Sequence, residues 1–236
     1  MRKISSMHPK RRPQVPSNPG VFGLVQNKRA WLPKLKPDEL KSGFRGWHER
    51  GYSPHRDEPN LVQFVTFRLA DSFPHSLRSE WEAILEIEDD ANRRRRLEAY
   101  LDRGHGECHL RRPEIAQMVE ASLRFRNGPH YELRAWVIMP NHVHLLFQVL
   151  EIPMSKLVDA WKGFTAKEAN RILGRHGQFW LEDYWDTFMR DADHERRTRN
   201  YIEANPVKAA LVATRQDWPW SSTRFRDNDG RLCLPD

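Results

Sequence analysis

Two imidazoles one residue apart stand at His142-Val143-His144, and the stretch that continues them, Leu145 to Val149, is apolar and rich in strand-forming residues. On a β-strand successive side chains point to opposite faces, so the histidines project together while Val143, Leu145, Phe147 and Val149 project the other way. One face is then a core face, and the other offers two nitrogen donors at metal-chelating separation on a rigid element. Taken alone, the pair is a weak metal signal and better fits a sheet-edge position or hydrogen bonds to loops. A second stretch with chemical potential runs from His194 to Pro206. At helical spacing, positions 194, 198, 201 and 205 share one stripe, which presents a phenol (Tyr201) and a carboxamide (Asn205) to the same side, with Arg197 just above them. A nucleophile, an oxygen ligand and a phosphate-binding cation would then lie within reach of one site. The alternative is a core tyrosine, with Asn205 capping a turn opened by Pro206.

These groups need a scaffold. Leu61 to Phe67 is β-branched and aromatic and reads as a strand, with order expected to begin there. Leu77 to about Arg103 carries Leu77, Trp81, Ile84, Leu85 and Leu97 at helical spacing and reads as one long charged helix, in which the run Arg93 to Arg96 is a solvated face or a phosphate contact. Pro113 suits the first turn of a shorter helix to about Arg126. Tyr131 to Met139 and His142 to Leu150 form a strand pair about the turn Pro140-Asn141. After Pro153, Leu157, Trp161, Phe164, Ile172 and Leu173 mark an amphipathic helix, and Lys156, Lys162 and Lys167 make it a basic one, suited to a nucleic-acid backbone or simply to solubility. A polar aromatic stretch, Gln178 to Met189, leads to a last helix from about Asp193 to Ala204, and Pro206 starts a new turn. Residues 1–60 read as a basic, Pro-rich extension, residues 61–223 as the folded domain and residues 224–236 as a tail.

Composition narrows the partner. The sequence has 39 Lys and Arg against 32 Asp and Glu, a formal charge of +7, which suits a polyanion. The two cysteines, Cys108 and Cys233, are too few for a disulfide framework and too far apart for a CxxC metal pair, so a reducing cytoplasm is expected. No stretch approaches the roughly 20 apolar residues of a membrane span, and no apolar signal core follows the basic N-terminus.

Three segments in order, Met139-Pro140-Asn141-His142-Val143-His144-Leu145-Leu146, then Gln178-Phe179-Trp180 through Asp186, then Tyr201-Ile202-Glu203-Ala204-Asn205-Pro206-Val207-Lys208-Ala209, resemble the IS200-like Y1 (HUH) transposases, and Trp218-Pro219-Trp220-Ser221-Ser222 adds a fourth. The likeness is closest to the branch associated with repetitive extragenic palindromes (REP). It implies an α+β, ferredoxin-like antiparallel sheet with helices packed on one face, and a tyrosine helix near the histidines. It implies His142, His144 and Asn205 as ligands of Mg²⁺ or Mn²⁺, Tyr201 as nucleophile, and single-stranded DNA with hairpins as partner, for a monomer or homodimer. Arg197 and Lys208, with Lys156, Lys162 and Lys167, are the candidate DNA contacts. Ala210 departs from the pattern, since the family often has glycine there. Two competing readings are a non-catalytic hairpin-binding module and a zinc hydrolase that takes His105 or His109 as third ligand.

Overall fold

In the computed structural model, which describes residues 35–49, 54–87 and 89–235, a short helix α1 (Pro37–Lys41) is followed by a hairpin of β1 (Gly46–Glu49) and β2 (Pro54–Asp57). Strand β3 (Val62–Arg68) comes next, then helices α2 (Arg78–Leu85), α3 (Asp90–Asp102) and α4 (Pro113–Arg124). The chain continues through β4 (Tyr131–Ile138), β5 (His142–Val149), α5 (Met154–Leu173), β6 (Trp185–Phe188) and α6 (Ala192–Lys208).

The main sheet is antiparallel, in the order β4-β5-β3-β6. With α4 and α5 as the crossovers this is the β-α-β-β-α-β path of the expected ferredoxin-like arrangement. Side-chain alternation sorts its two faces. Val65, Phe67, Val143, Leu145 and Phe147 meet Ile115, Val119 and Leu123 of α4 and Leu157, Val158 and Trp161 of α5 in the larger core. The opposite face carries Phe64, Ala135, Val137 and Leu146, covered by Ile202 and Tyr201 of α6. The expectation of helices on one face therefore holds for α4 and α5, while α6 adds a cover on the other, because β4 and β5 bury side chains on both sides.

Several elements depart from the reading of the sequence. Order begins before Leu61: α1 and the hairpin precede it, and Trp47 and Arg56 pack on Phe188 of β6. Arg11, Arg12 and Lys34 of the extension lie outside the described residues. The single helix expected over residues 77–103 is two, because the Asp89 side chain accepts from the Asn92 N–H at 2.7 Å and starts α3 afresh. Strand β6 lies inside the stretch read as polar and aromatic. Phe164, placed among the apolar positions of α5, is 54% exposed. Pro206 does not open a new turn: α6 runs through it to Lys208, with the Ala209 N–H donating to the Asn205 carbonyl at 2.9 Å. An interior proline costs about 3 kcal/mol, and the burial of Ile202, Asn205 and Pro206 against the sheet offsets it.

Candidate active site

The turn at Pro140-Asn141 is held by Leu69 N–H donating to the Asn141 carbonyl and Leu110 N–H donating to the Pro140 carbonyl, at 2.8 and 3.2 Å. It delivers β5 with His142 opposite Arg68 and His144 opposite Thr66 of β3. Both imidazoles are fully buried, with their Nε2 atoms 3.2 Å apart. The other nitrogen of His142 fixes its tautomer. The Asn141 amide nitrogen donates to the His105 carbonyl at 3.1 Å, so its oxygen accepts from His142 Nδ1 at 2.8 Å and His142 Nε2 is left with a lone pair. Thr66 Oγ1 lies 2.7 Å from His144 Nδ1. When that nitrogen donates to it, a second lone pair faces the first. Two facing lone pairs repel unless a cation lies between them, and cis ligands with bonds of about 2.0–2.1 Å are separated by about 2.8–3.4 Å. Burial pushes both imidazoles well below the ordinary histidine range; Arg68 and Lys208 push His142 further, and His142 and Lys208 push His144 further. They are neutral at pH 7, as metal ligands must be.

Helix α6 starts at Asp191, whose carboxylate accepts from the His194 N–H at 2.7 Å, and brings three of the predicted side chains to this face. The Tyr201 hydroxyl comes to 3.5 Å from His144 Nε2, and its ring meets Phe64 edge-on. Asn205, one turn on, is fully buried, and neither amide atom completes a hydrogen bond among the described residues. Its proximity lowers the Tyr201 pKa slightly, but burial and the carboxylates of Glu98 and Asp102 raise it well above the usual phenol value. Glu98 accepts a hydrogen bond from the phenol. Lys208 lies 5.3 Å from the Tyr201 ring centroid and 3.4 Å from Asp102.

The fourth predicted α6 residue, Arg197, is exposed on the outer surface. The lysines of α5 lie on the helix that covers the opposite face of the sheet. There Lys156 donates to the Ser42 carbonyl and Lys162 to the Glu182 carbonyl, while Lys167 is exposed. His109 accepts from Arg175, and among the described residues no three of His, Cys, Asp and Glu converge, so the proposed zinc triad with His105 or His109 is not formed. The donor set that does fit a divalent ion is two imidazole nitrogens with the unsatisfied Asn205 amide. Sequence reasoning missed Arg68, Thr66, Asn141, Glu98 and Asp102. Their only signal was position: Thr66 and Arg68 share a strand face, and Glu98 and Asp102 are four apart on a helix.

Fold and site together define a ferredoxin-like α+β domain in which a strand-borne histidine pair faces a helix-borne tyrosine. Residues 113–205, a stretch that contains His142, His144, Tyr201 and Asn205, match the family described as "Transposase IS200 like". A REP-associated tyrosine transposase of Escherichia coli (strain K12) is 26% identical over 102 residues, 43% of this chain and 60% of that protein. A Haemophilus influenzae protein also named as a REP-associated tyrosine transposase is 32% identical over 103 residues, 39% of this chain and 58% of its own length. The chain thus spans less than two thirds of the curated relatives it matches. A solved REP-associated tyrosine transposase bound to a REP hairpin superposes with a TM-score of 0.48 at 18% identity, covering 80% of this chain and 91% of that one.

Proposed function

We propose that this protein cuts and rejoins single-stranded DNA beside hairpins, using Tyr201 as nucleophile. The observation that carries the reading is the Tyr201 hydroxyl at 3.5 Å from His144 Nε2, beside a histidine pair whose Nε2 atoms converge to 3.2 Å. His142, His144 and Asn205 would hold Mg²⁺ or Mn²⁺. Such an ion supplies positive charge that polarises a non-bridging oxygen of the scissile phosphate. The protein's own groups do the rest. Tyr201 Oη bonds to phosphorus as the P–O3′ bond breaks, and the phenolic proton passes to Glu98, which already faces it. The electron pair leaves on O3′, which takes a proton from water. The 5′-phosphotyrosine keeps the bond energy, so another 3′-hydroxyl can reverse the step without ATP.

Lys208, 5.3 Å from the Tyr201 ring centroid, is the cation we assign to backbone phosphate near the tyrosine, and Arg197, exposed on the outer surface of α6, is assigned to phosphate further along the strand. Of the lysines across the sheet, Lys156 and Lys162 donate to carbonyls of the chain, and we assign the exposed Lys167 to a hairpin stem rather than to the scissile strand. The partner is DNA with REP-like palindromes, as the names of the two curated relatives suggest, and the formal charge of +7 favours it. Phenol and imidazoles come from one chain, so a single copy carries the whole set. No helix among the described residues is long and apolar enough to cross a membrane, and we place its action in the cytoplasm.

The test is incubation of the full chain with hairpin-bearing oligonucleotides and Mn²⁺, then mass mapping of any attached nucleotide. A covalent adduct on Tyr201, lost in Tyr201→Phe and in EDTA, is expected. Tight hairpin binding with no metal-dependent nick would refute the nuclease and leave a binding module.

A further inference from the structure

The histidine pair has two unlike neighbours. Tyr201 of α6 reaches His144 and meets Phe64 of β3 edge-on. Four residues further along β3, Arg68 stands in register with His142 on the same sheet face, as the Thr66 to His144 contact two residues earlier demonstrates. Arg68 is only 4% exposed. Its guanidinium carbon lies 4.3 Å from the Phe73 ring centroid and 4.2 Å from that of Trp185, a residue of β6 paired with Thr66. Two rings that hold a guanidinium by its faces fix its plane, and the N–H donors lie in that plane.

A buried cation beside two imidazoles is a liability if the site only binds metal, because it opposes the incoming positive charge. Burial lowers the Arg68 pKa to about 9, partly countered by Asp183, so it remains charged at pH 7. An apolar side chain would fill the place between Phe73 and Trp185 without that cost. The arrangement gains when an anion joins the metal. In an in-line displacement at phosphorus the attacking and leaving oxygens lie on opposite sides; Tyr201 reaches one member of the histidine pair, His144, and Arg68 is in register with the other, His142.

We propose that Arg68 contacts the leaving-group side of the scissile phosphodiester and stabilises the departing 3′-oxygen. This rests on Tyr201 being the nucleophile. As the Oη–P bond forms and the P–O3′ bond breaks, the electron pair accumulates on O3′, and the guanidinium donates a charge-assisted hydrogen bond to it. Arg68 keeps its proton, and O3′ acquires one from water. In the rejoining direction the same contact orients the incoming 3′-hydroxyl.

The experiment uses the full chain with Mn²⁺ and two hairpin oligonucleotides that differ at one atom, the bridging 3′-oxygen or 3′-sulfur of the scissile linkage. A thiolate leaves without help. Arg68→Met is expected to slow adduct formation on the oxygen substrate by about 10²–10³-fold and on the sulfur substrate by less than about tenfold, with binding of uncleaved oligonucleotide in EDTA within about threefold of wild type. Arg68→Lys, which keeps the charge and protects the test against misfolding of the methionine variant, is expected to fall between on oxygen and to match wild type on sulfur. Equal losses on both substrates in either variant, or wild-type rates on oxygen for Arg68→Met, overturn the proposal. A wild-type chain that forms no tyrosyl adduct on either substrate refutes the nuclease reading instead.

Discussion

Mild acid should destabilise the metal-free protein through two residues in particular. His142 and His144 are fully buried, and burial, then the neighbouring cations, holds them neutral, His142 down to about 3. In the unfolded chain each titrates near about pH 6.5. Below that value the unfolded chain takes up protons that the folded one refuses, so stability is fully present above about pH 6.5 and falls as the pH drops toward the folded pKa values. One unit below, at about pH 5.5, each ring costs RT ln(1 + 10), about 1.4 kcal/mol, and the pair about 3 kcal/mol. Urea unfolding in EDTA at about pH 7.5 and 5.5, for wild type and a His142→Asn, His144→Asn double variant, isolates this term. His109, whose pKa burial also lowers, titrates in both proteins and cancels. Wild type should lose about 3 kcal/mol more than the double variant between those two pH values. A difference below about 1 kcal/mol would mean that the rings are solvated or already protonated, and the lone-pair argument for the site would fall with it.

Three further outcomes are expected. Ala210 follows α6 with a φ of +54°, a left-handed conformation that costs a residue with a Cβ about 1–2 kcal/mol, so Ala210→Gly should raise Tm by about 2–4 °C; a lower Tm would show that the bend is held by something else. Replacing Asn205, whose amide is buried and unsatisfied, with leucine should leave the metal-free stability within about 1 kcal/mol yet abolish the rise in Tm on adding Mn²⁺, and a wild-type rise would remove Asn205 from the ligand set. Glu98→Gln should slow adduct formation by about 10²–10⁴-fold while hairpin binding persists, whereas a rate within about threefold of wild type would assign the proton to another acceptor.

How much of this was legible depends on which residues share a segment. The alternation of β5 announced both its buried face and its histidine face, because one short run records both, and the four-residue spacing of Tyr201 and Asn205 survived even though the helix boundary at Pro206 did not. That boundary failed for an energetic reason: a proline ends a helix by local preference, and packing against the sheet outweighed the preference. Glu98 and Asp102 were invisible for the opposite reason. They sit on a helix whose heavy charge reads as a solvated surface, and only the fold turns two of those charges toward a tyrosine about a hundred residues later. Arg68 follows the run Leu61 to Phe67 that reads as a strand and carries no signal of its own, and its burial exists only once Phe73 and Trp185 close over it.

The charges missed by the sequence give the site its polarity. Carboxylates gather at the tyrosine and cations flank the histidines, the reverse of what would favour a phenolate or a bound metal by itself. Each half is thus held in its resting form, phenol protonated and imidazoles neutral. On the proposed function a phosphodiester would relieve the cations, and a divalent ion would draw on the converging imidazole nitrogens. If the proposed function holds, the two ligands should therefore bind with positive coupling, Mn²⁺ tightening hairpin binding and the hairpin tightening Mn²⁺ binding by the same factor.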